Sequence, residues 1–326
     1  MASGRLRPCE IFYVYKPLVY GDKMSEKKYE LRKRMKSVRW MIFWVVLAQF
    51  AAQLAVEATV SFMSNPPHQY IQIALIELIA IGVPIMVYVK SMYSGSIKRI
   101  KQEVCLNRCK PRFVLLAAFL GISGQFVMMV LNVPANYILS LLGWGNTTSS
   151  VAVAVEWYEV LLGGFAVVII PAILEEFWMR GIIFSAYNRC NTRAAVIFTA
   201  LIFALLHLSA TEFVGFFFMG IISALVLIKS GSLYGAVVYH AFSNLTALLF
   251  GAYIMPKIID YIWIVFVLVI LLFVLTLILL LRQKNRIRAS RVFGSASLVF
   301  TSVFSMPVLA SVAVVILKYF LLNMAG

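Results

Sequence analysis

Ile262–Leu281 reads IWIVFVLVILLFVLTLILLL, an uncharged run closed by Asp260 on one side and Arg282 on the other. About 20 apolar residues, at ~1.5 Å rise per residue, cross the ~30 Å hydrocarbon core of a bilayer. A core helix of a soluble protein would show a polar face every third or fourth residue, and this run shows none. The pattern repeats along the chain, with apolar stretches at 40–63, 69–92, 113–133, 158–179, 194–208, 213–228, 233–251, 259–281 and 295–322. Hydrophobic residues make up 62% of the chain and charged residues 13%, whereas soluble domains are closer to half and a quarter. The fold expected is an all-α, polytopic transmembrane helix bundle of about eight to nine spans, the last of them the weakest because it carries Met306-Pro307 and Lys318.

The formal net charge is +16, and its placement separates a membrane from a nucleic-acid partner. Basic residues crowd residues 1–39, then 94–112, 180–193 and 282–291, while the alternate linkers 64–68, 133–157, 209–212 and 252–258 hold one, Lys257. Such alternation is the positive-inside rule. It predicts a multi-pass protein of the cell membrane with a cytoplasmic N-terminus, and no nucleic-acid partner. Residues 1–39 read as a basic cytoplasmic arm and 40–326 as one transmembrane domain. No internal repeat and no cleavable signal peptide is legible. Cys9, Cys105, Cys109 and Cys190 fall in or beside the cytoplasmic segments, so reduced thiols are expected. The Cys105-x3-Cys109 spacing lacks the second ligand pair of a zinc site. Asn146-Thr147-Thr148 is a sequon that matters only where glycosylation operates.

An ionisable side chain in hydrocarbon costs at least ~2.5–3.5 kcal/mol on insertion scales, so each one asks for a reason. Lys90, Asp260 and Lys318 lie near span ends and can snorkel. Glu57 and Glu77 are deeper and read as protonated or hydrogen-bonded packing groups. His68 sits after Pro66-Pro67 in an outer loop and reads as solvated. The fourth span ends PAILEEFWMR at Arg180, the fifth ends FALLH at His207, and the seventh contains HAFSN from His240 to Asn244. Residues four apart share a helix face, which pairs Glu176 with Arg180, Phe203 with His207, and His240 with Asn244. Arg180 can hold a carboxylate in a bidentate fork. Glu175, turned ~100° from Glu176, faces a different neighbour. Pro171 removes a backbone bond and frees the Val167 carbonyl.

These residue types suit hydrolysis of a peptide bond. A buried carboxyl beside a histidine can take a proton from water near neutral pH, and a His/Asn pair on one face supplies two donors for an oxyanion. A metal is the alternative chemistry, since Glu175, His207 and His240 are all zinc-ligand types. No HExxH is present.

Glu175-Glu176-x-x-x-Arg180, Phe203-x-x-x-His207 and His240-x-x-x-Asn244, in that order on successive helices, resemble the three motifs of the CAAX-protease and bacteriocin-processing (CPBP, or Abi) family, which includes the type II CAAX prenyl endopeptidases. The similar region covers about 110–255. The resemblance implies that Glu175 and His207 activate the attacking water, that His240 and Asn244 form the oxyanion hole, and that Glu176 and Arg180 position the site. It implies a peptide or membrane-protein substrate inside the lipid bilayer. Family members have been described both as metalloproteases and as metal-free glutamate proteases. Asn, a good donor but a poor zinc ligand, matches the glutamate reading better. A prenylated CAAX substrate is not inferred.

Two other functions fit the same residues: a non-catalytic scaffold or bacteriocin self-immunity protein that keeps the cluster to hold its helices, and a transporter. A transporter is disfavoured because the two halves of the chain show no similarity. The charge pattern also poses a problem of depth. It places Glu175 ~7 Å from Arg180 but His207 ~20 Å from Arg193 at 1.5 Å per residue. A shared site therefore requires the 181–193 linker to dip inward or the fifth helix to begin outside the membrane.

Overall fold

The computed structural model describes residues 22–60, 66–93, 96–141, 156–287 and 296–324, and among these the regular elements are all helical. They are α1 (Asp22–Val60), α2 (His68–Tyr93), α3 (Ile97–Glu103), α4 (Pro111–Leu141), α5 (Trp157–Tyr187), α6 (Thr192–Leu206), α7 (Phe213–Ser230), α8 (Leu233–Leu249), α9 (Met255–Leu281), α10 (Ala296–Val303) and α11 (Met306–Met324). Six of them, α1, α2, α4, α5, α7 and α9, are long and apolar enough to cross a bilayer. The pair α10–α11, bent by 43°, makes a seventh if it acts as one span. The bend falls where Met306-Pro307 interrupts the helix, as a proline dictates. The expected eight to nine crossings exceed this count because α6 and α8 are apolar but short. Cys9, Glu57's side chain, Lys318's side chain and the sequon at 146–148 lie outside the described residues.

Two helix ends differ from the sequence expectation. The third apolar run does not stop at 133. Helix α4 carries Pro134 inside it and continues to Leu141, which a membrane helix tolerates when neighbours re-satisfy the freed backbone group. The fourth does not stop at Arg180 either. Helix α5 runs on to Tyr187, and Arg180 is 1% exposed within the bundle rather than in a basic linker. Its charge is consumed by a buried partner, so it carries no information about membrane side.

The longer α5 brings Glu175 and His207 to a similar depth. The true linker between α5 and α6 is the tight turn 188–191. Asn188 donates its N–H to Phe184 O (2.7 Å), Cys190 to Tyr187 O (2.9 Å), and Asn191 Oδ1 caps α6 by accepting the Ala194 N–H (3.0 Å). From that shared turn, Glu175 lies ~18 Å up one helix and His207 ~22 Å up the other at 1.5 Å per residue. A difference of a few ångströms is within side-chain reach.

Helix α6 is 15 residues, ~22 Å long and short of the ~30 Å hydrocarbon core. Its end and the following turn are therefore covered by protein. Leu208, Ser209 and Thr211 are all buried, and Leu208 adopts φ +50°. Irregular backbone at membrane depth is tolerated only where protein or a polar cavity covers it.

Close helix contacts set the rest. A Cβ on Gly121 of α4 would lie 2.4 Å from the Tyr239 carbonyl oxygen of α8, and one on Gly220 of α7 would lie 2.7 Å from the Ala200 Cα of α6. Absent side chains thus allow the backbones of α4 and α8, and of α6 and α7, to touch. Helix α7 ends on Gly231 at φ +70°, whose N–H returns to Leu227 O (2.8 Å). At the end of the bundle formed by the α5–α6 turn, Arg34 of α1 pairs with Glu103 of α3, which also meets Arg189 at 3.5 Å and the Tyr93 hydroxyl at 3.0 Å. Burial opposes ionisation of Glu103, but the two arginines and the hydrogen bonds outweigh it and hold its carboxyl below the usual range. Helix α9 buries few residues, chiefly Phe273, Thr276 and Leu280, and leaves a broad apolar face suited to lipid.

Gly121→Ala is expected to lower the thermal stability of the purified protein in detergent by ~1–3 kcal/mol, because a backbone atom cannot move aside. Gly164→Ala, where an added Cβ meets nothing within 4 Å, is expected to leave the melt unchanged or raised. Equal melts for the two variants would show that α4 and α8 are not in contact at Gly121.

Candidate active site

The site is assembled around one carboxylate. Glu176 is 0% exposed, and each of its oxygens is engaged. Oε1 lies 3.0 Å from Arg180 Nη1 on its own helix and 3.0 Å from His240 Nδ1 on α8. Oε2 accepts the Ser223 hydroxyl of α7 at 2.7 Å. An ionised carboxylate can only accept, so His240 carries its proton on Nδ1 and Nε2 is the nitrogen left to serve a reaction. Arg180 does not grip Glu176 with both arms of its fork, as its spacing suggested. Nη2 instead donates to the Gly220 carbonyl of α7 at 3.0 Å. One ion pair thereby ties α5, α7 and α8 together.

Phe203 of α6 supplies the floor. The Arg180 guanidinium lies 4.8 Å from its ring centroid, and the His207 and His240 rings lie 4.8 and 5.6 Å from it. The Phe203 carbonyl also accepts the Nδ1–H of His207 at 2.8 Å, which leaves His207 Nε2 as a free lone pair. On its other face His207 stacks against Phe216 of α7, with centroids 3.5 Å apart and planes at 19°. Both the tautomer and the plane of this imidazole are fixed. His207 is half-buried, whereas His240 is buried.

Glu175, one residue away from Glu176, has a different environment. It is buried, yet among the described residues its Oε2 has no hydrogen-bond partner. Its nearest ring nitrogen is His240 Nε2, at 4.0 Å. Asn244, one turn beyond His240, donates Nδ2–H to the Val167 carbonyl at 2.9 Å. That is the carbonyl that Pro171 cannot engage. Asn244 keeps its second N–H and its position is set by the proline four residues after Val167.

The helix itself is irregular here. Wider π-turns occupy Gly164–Ile169 and Phe177–Phe184, on either side of the α-helical Ile170–Glu176. Such insertions re-aim side chains and recur at functional positions.

The structure therefore brings Glu175, Glu176, Arg180, Phe203, His207 and His240 to one place, with Asn244 one turn further on α8. His68 stays exposed at the start of α2 and takes no part. Sequence reasoning missed Ser223, the Gly220 carbonyl and Phe216, all on α7. The i, i+4 patterns that marked the other helices are absent there, and a lone Ser or Gly in an apolar run carries no signal of its own. A zinc site was the alternative reading. Among the described residues no three His, Cys, Asp or Glu side chains converge as a metal set. Glu175, His207 and His240 thus do not converge as a three-ligand set.

Arg180→Ala leaves Glu176 as a buried, uncompensated anion, and breaking such a pair costs ~3–5 kcal/mol. The variant is expected to melt far lower or fail to accumulate in the membrane. Arg180→Lys is expected to recover little, because a point charge cannot serve Glu176 and Gly220 while stacking on Phe203. Normal melting of Arg180→Lys would contradict this geometry.

Comparison with known proteins adds a family. Residues 157–246 match the model described as type II CAAX prenyl endopeptidase Rce1-like. The matched stretch contains Glu175, Glu176, Arg180, Phe203, His207, His240 and Asn244. No curated protein and no solved structure matches the chain. The apolar helices and the match together describe a multi-pass membrane protein of protease type. Over this region the chain is similar to the type II CAAX prenyl endopeptidases, and the match supports assigning it to the CPBP family.

Proposed function

We propose that the chain is an intramembrane endopeptidase of the glutamate type, in which Glu175 and His207 activate water and His240 and Asn244 stabilise the oxyanion. The observation that carries this reading is the contrast between two adjacent acids. Glu176 is saturated by Arg180, His240 and Ser223. Glu175 is also buried but keeps an oxygen with no hydrogen-bond partner among the described residues. A bundle held together by polar contacts gains nothing from a second, unpaired acid, whereas a base needs a free lone pair.

In the proposed reaction a water held between Glu175 Oε2 and His207 Nε2 attacks the carbonyl carbon of a peptide bond. Its proton passes to Glu175. The negative charge that forms on the carbonyl oxygen meets the free N–H of Asn244 and the imidazole of His240, whose orientation Glu176 fixes. Collapse breaks the C–N bond, and the proton on Glu175 moves to the departing amine. Preorganised donors of this kind account for factors of ~10²–10³ in kcat each. Glu176, Arg180 and Phe203 are positioning residues. They hold His240 and His207 without touching substrate. The substrate proposed is a peptide segment that enters from the bilayer. Prenylated CAAX peptides are the probe that the family's name offers.

Glu175→Ala and His207→Ala proteins are expected to insert and melt near the wild type while losing cleavage of a quenched-fluorescence farnesylated CAAX peptide and of a panel of transmembrane peptides in reconstituted vesicles. Unchanged turnover in both would dispose of the catalytic reading. Lower stability with wild-type turnover would point to a scaffold. Asn244→Ala is expected to lower kcat by ~10²-fold with little change in KM, as loss of a donor used only in the transition state requires.

A further inference from the structure

Helices α1 and α2 lie outside the matched family region, yet they bring a third carboxyl toward the site. A Cβ on Gly163 of α5 would lie 3.3 Å from the Tyr70 ring of α2, and one on Gly82 of α2 would lie 3.9 Å from Leu174 of α5. The two helices therefore run in parallel, with a constant register. Glu77 is seven residues beyond Tyr70, two turns along the same face, so it is directed at the α1–α2–α5 junction. The stretch of α2 that ends at Glu77 packs against the Ile170–Glu176 segment of α5, which carries Glu175.

The hydrogen-bonding groups at this junction do not balance. Gln49 of α1, itself buried, donates Nε2–H to Glu77 Oε1 at 3.4 Å. Glu77 Oε2, Glu175 Oε2 and the Oε1 of Gln53, one turn beyond Gln49, are all buried atoms with no hydrogen-bond partner among the described residues. All are acceptors. Buried acceptors need donors, and a carboxyl becomes a donor only when protonated. The charges point the same way. Arg180 is committed to Glu176 and the Gly220 carbonyl. The other titratable groups near Glu175 are His240 on α8, whose Nε2 lies 4.0 Å from Glu175 Oε2, and, across Phe203, His207 on α6, while among the described side chains α1 presents the neutral Gln49 and Gln53. Two carboxylates with no fixed cation of their own cannot both ionise cheaply in a low-dielectric interior.

We propose that Glu77 is a positioning residue for Glu175, the two carboxyl groups sharing one proton, directly or through water. This rests on the endopeptidase reading given above and assigns part of that site to helices outside the matched region. With the shared proton on Glu77, Glu175 is the ionised base. The attacking water delivers its proton to Glu175 as its oxygen bonds to carbon. That proton leaves with the amine when the C–N bond breaks, and the pair returns to one proton. Glu77 touches neither water's reacting oxygen nor substrate in this scheme. It sets the state in which Glu175 waits.

The test uses full-length protein in lipid vesicles, with two readouts. Infrared difference spectra of the wild type, Glu77→Gln and Glu175→Gln report the protonated-carboxyl band. A shared proton requires that both substitutions alter the same band, although each leaves the other acid in place. A band that responds to Glu77→Gln alone, or no band that responds to Glu77, overturns the proposal. The second readout is cleavage of the farnesylated CAAX peptide and the transmembrane-peptide panel. Glu77→Gln is expected to lower kcat ~10-fold with KM within ~2-fold, and Glu77→Asp to restore most of it, as loss and return of proton control would do. A lowered melt with unchanged kcat would leave Glu77 a packing group and also overturn the proposal. If instead the wild type cleaves neither probe, the endopeptidase reading fails, and the infrared spectra still decide whether the two acids are coupled.

Discussion

A buried carboxylate without partners is destabilising by several kcal/mol, more than most single contacts can offset. Glu176 meets that penalty with Arg180 from its own helix, His240 from α8 and Ser223 from α7. Three helices are thereby joined at one carboxylate. Arg180 extends the tie to the α7 backbone and lies over Phe203, which in turn carries His207. The positions of both imidazoles are therefore consequences of one ion pair. Were Glu176 neutral or absent, His240 would lose its tautomer and Arg180 its reason to remain inside the bundle.

Adjacent residues on a helix differ by ~100° in direction, and the chain uses that angle to separate two tasks. Glu176 faces inward to cations and a hydroxyl and is saturated. Glu175 faces the α2 side and is not. Two adjacent positions thus meet two different environments, and under the proposed function one holds the helices while the other serves the reaction. Backbone irregularity serves the separation. The π-turns flanking Ile170–Glu176, the carbonyl released by Pro171 and the buried turn after His207 with Leu208 at positive φ are local departures from ideal helix. Strain of this sort persists where surrounding contacts over-determine it.

Much of this was legible in the sequence, and the reasons are physical. Apolar runs announce membrane helices because hydrocarbon leaves few alternatives. Four-residue spacings announced the pairs Glu176/Arg180, Phe203/His207 and His240/Asn244 because neighbours on a helix face recur at that interval. The freed Val167 carbonyl followed from Pro171 alone, although its acceptance of Asn244 did not. Other features were hidden. Arg180 looked like a boundary charge because a burial partner cannot be told from a headgroup partner in one dimension. Helix α4 looked shorter than it is because Pro134 reads as a stop. Ser223, Gly220 and Phe216 join the site from a helix whose sequence is nearly all apolar. Glu77 looked like packing because its significance depends on which helix lies beside it.

The site depends on Glu176 and His240 being bound to each other across two helices. A double-mutant cycle on unfolding in mixed micelles, using Glu176→Gln, His240→Ala and the pair, measures that directly. A buried, charge-assisted hydrogen bond predicts a coupling of about 1.5–3 kcal/mol. Effects that add to within ~0.5 kcal/mol would mean the two side chains do not meet, and the site described here would not exist.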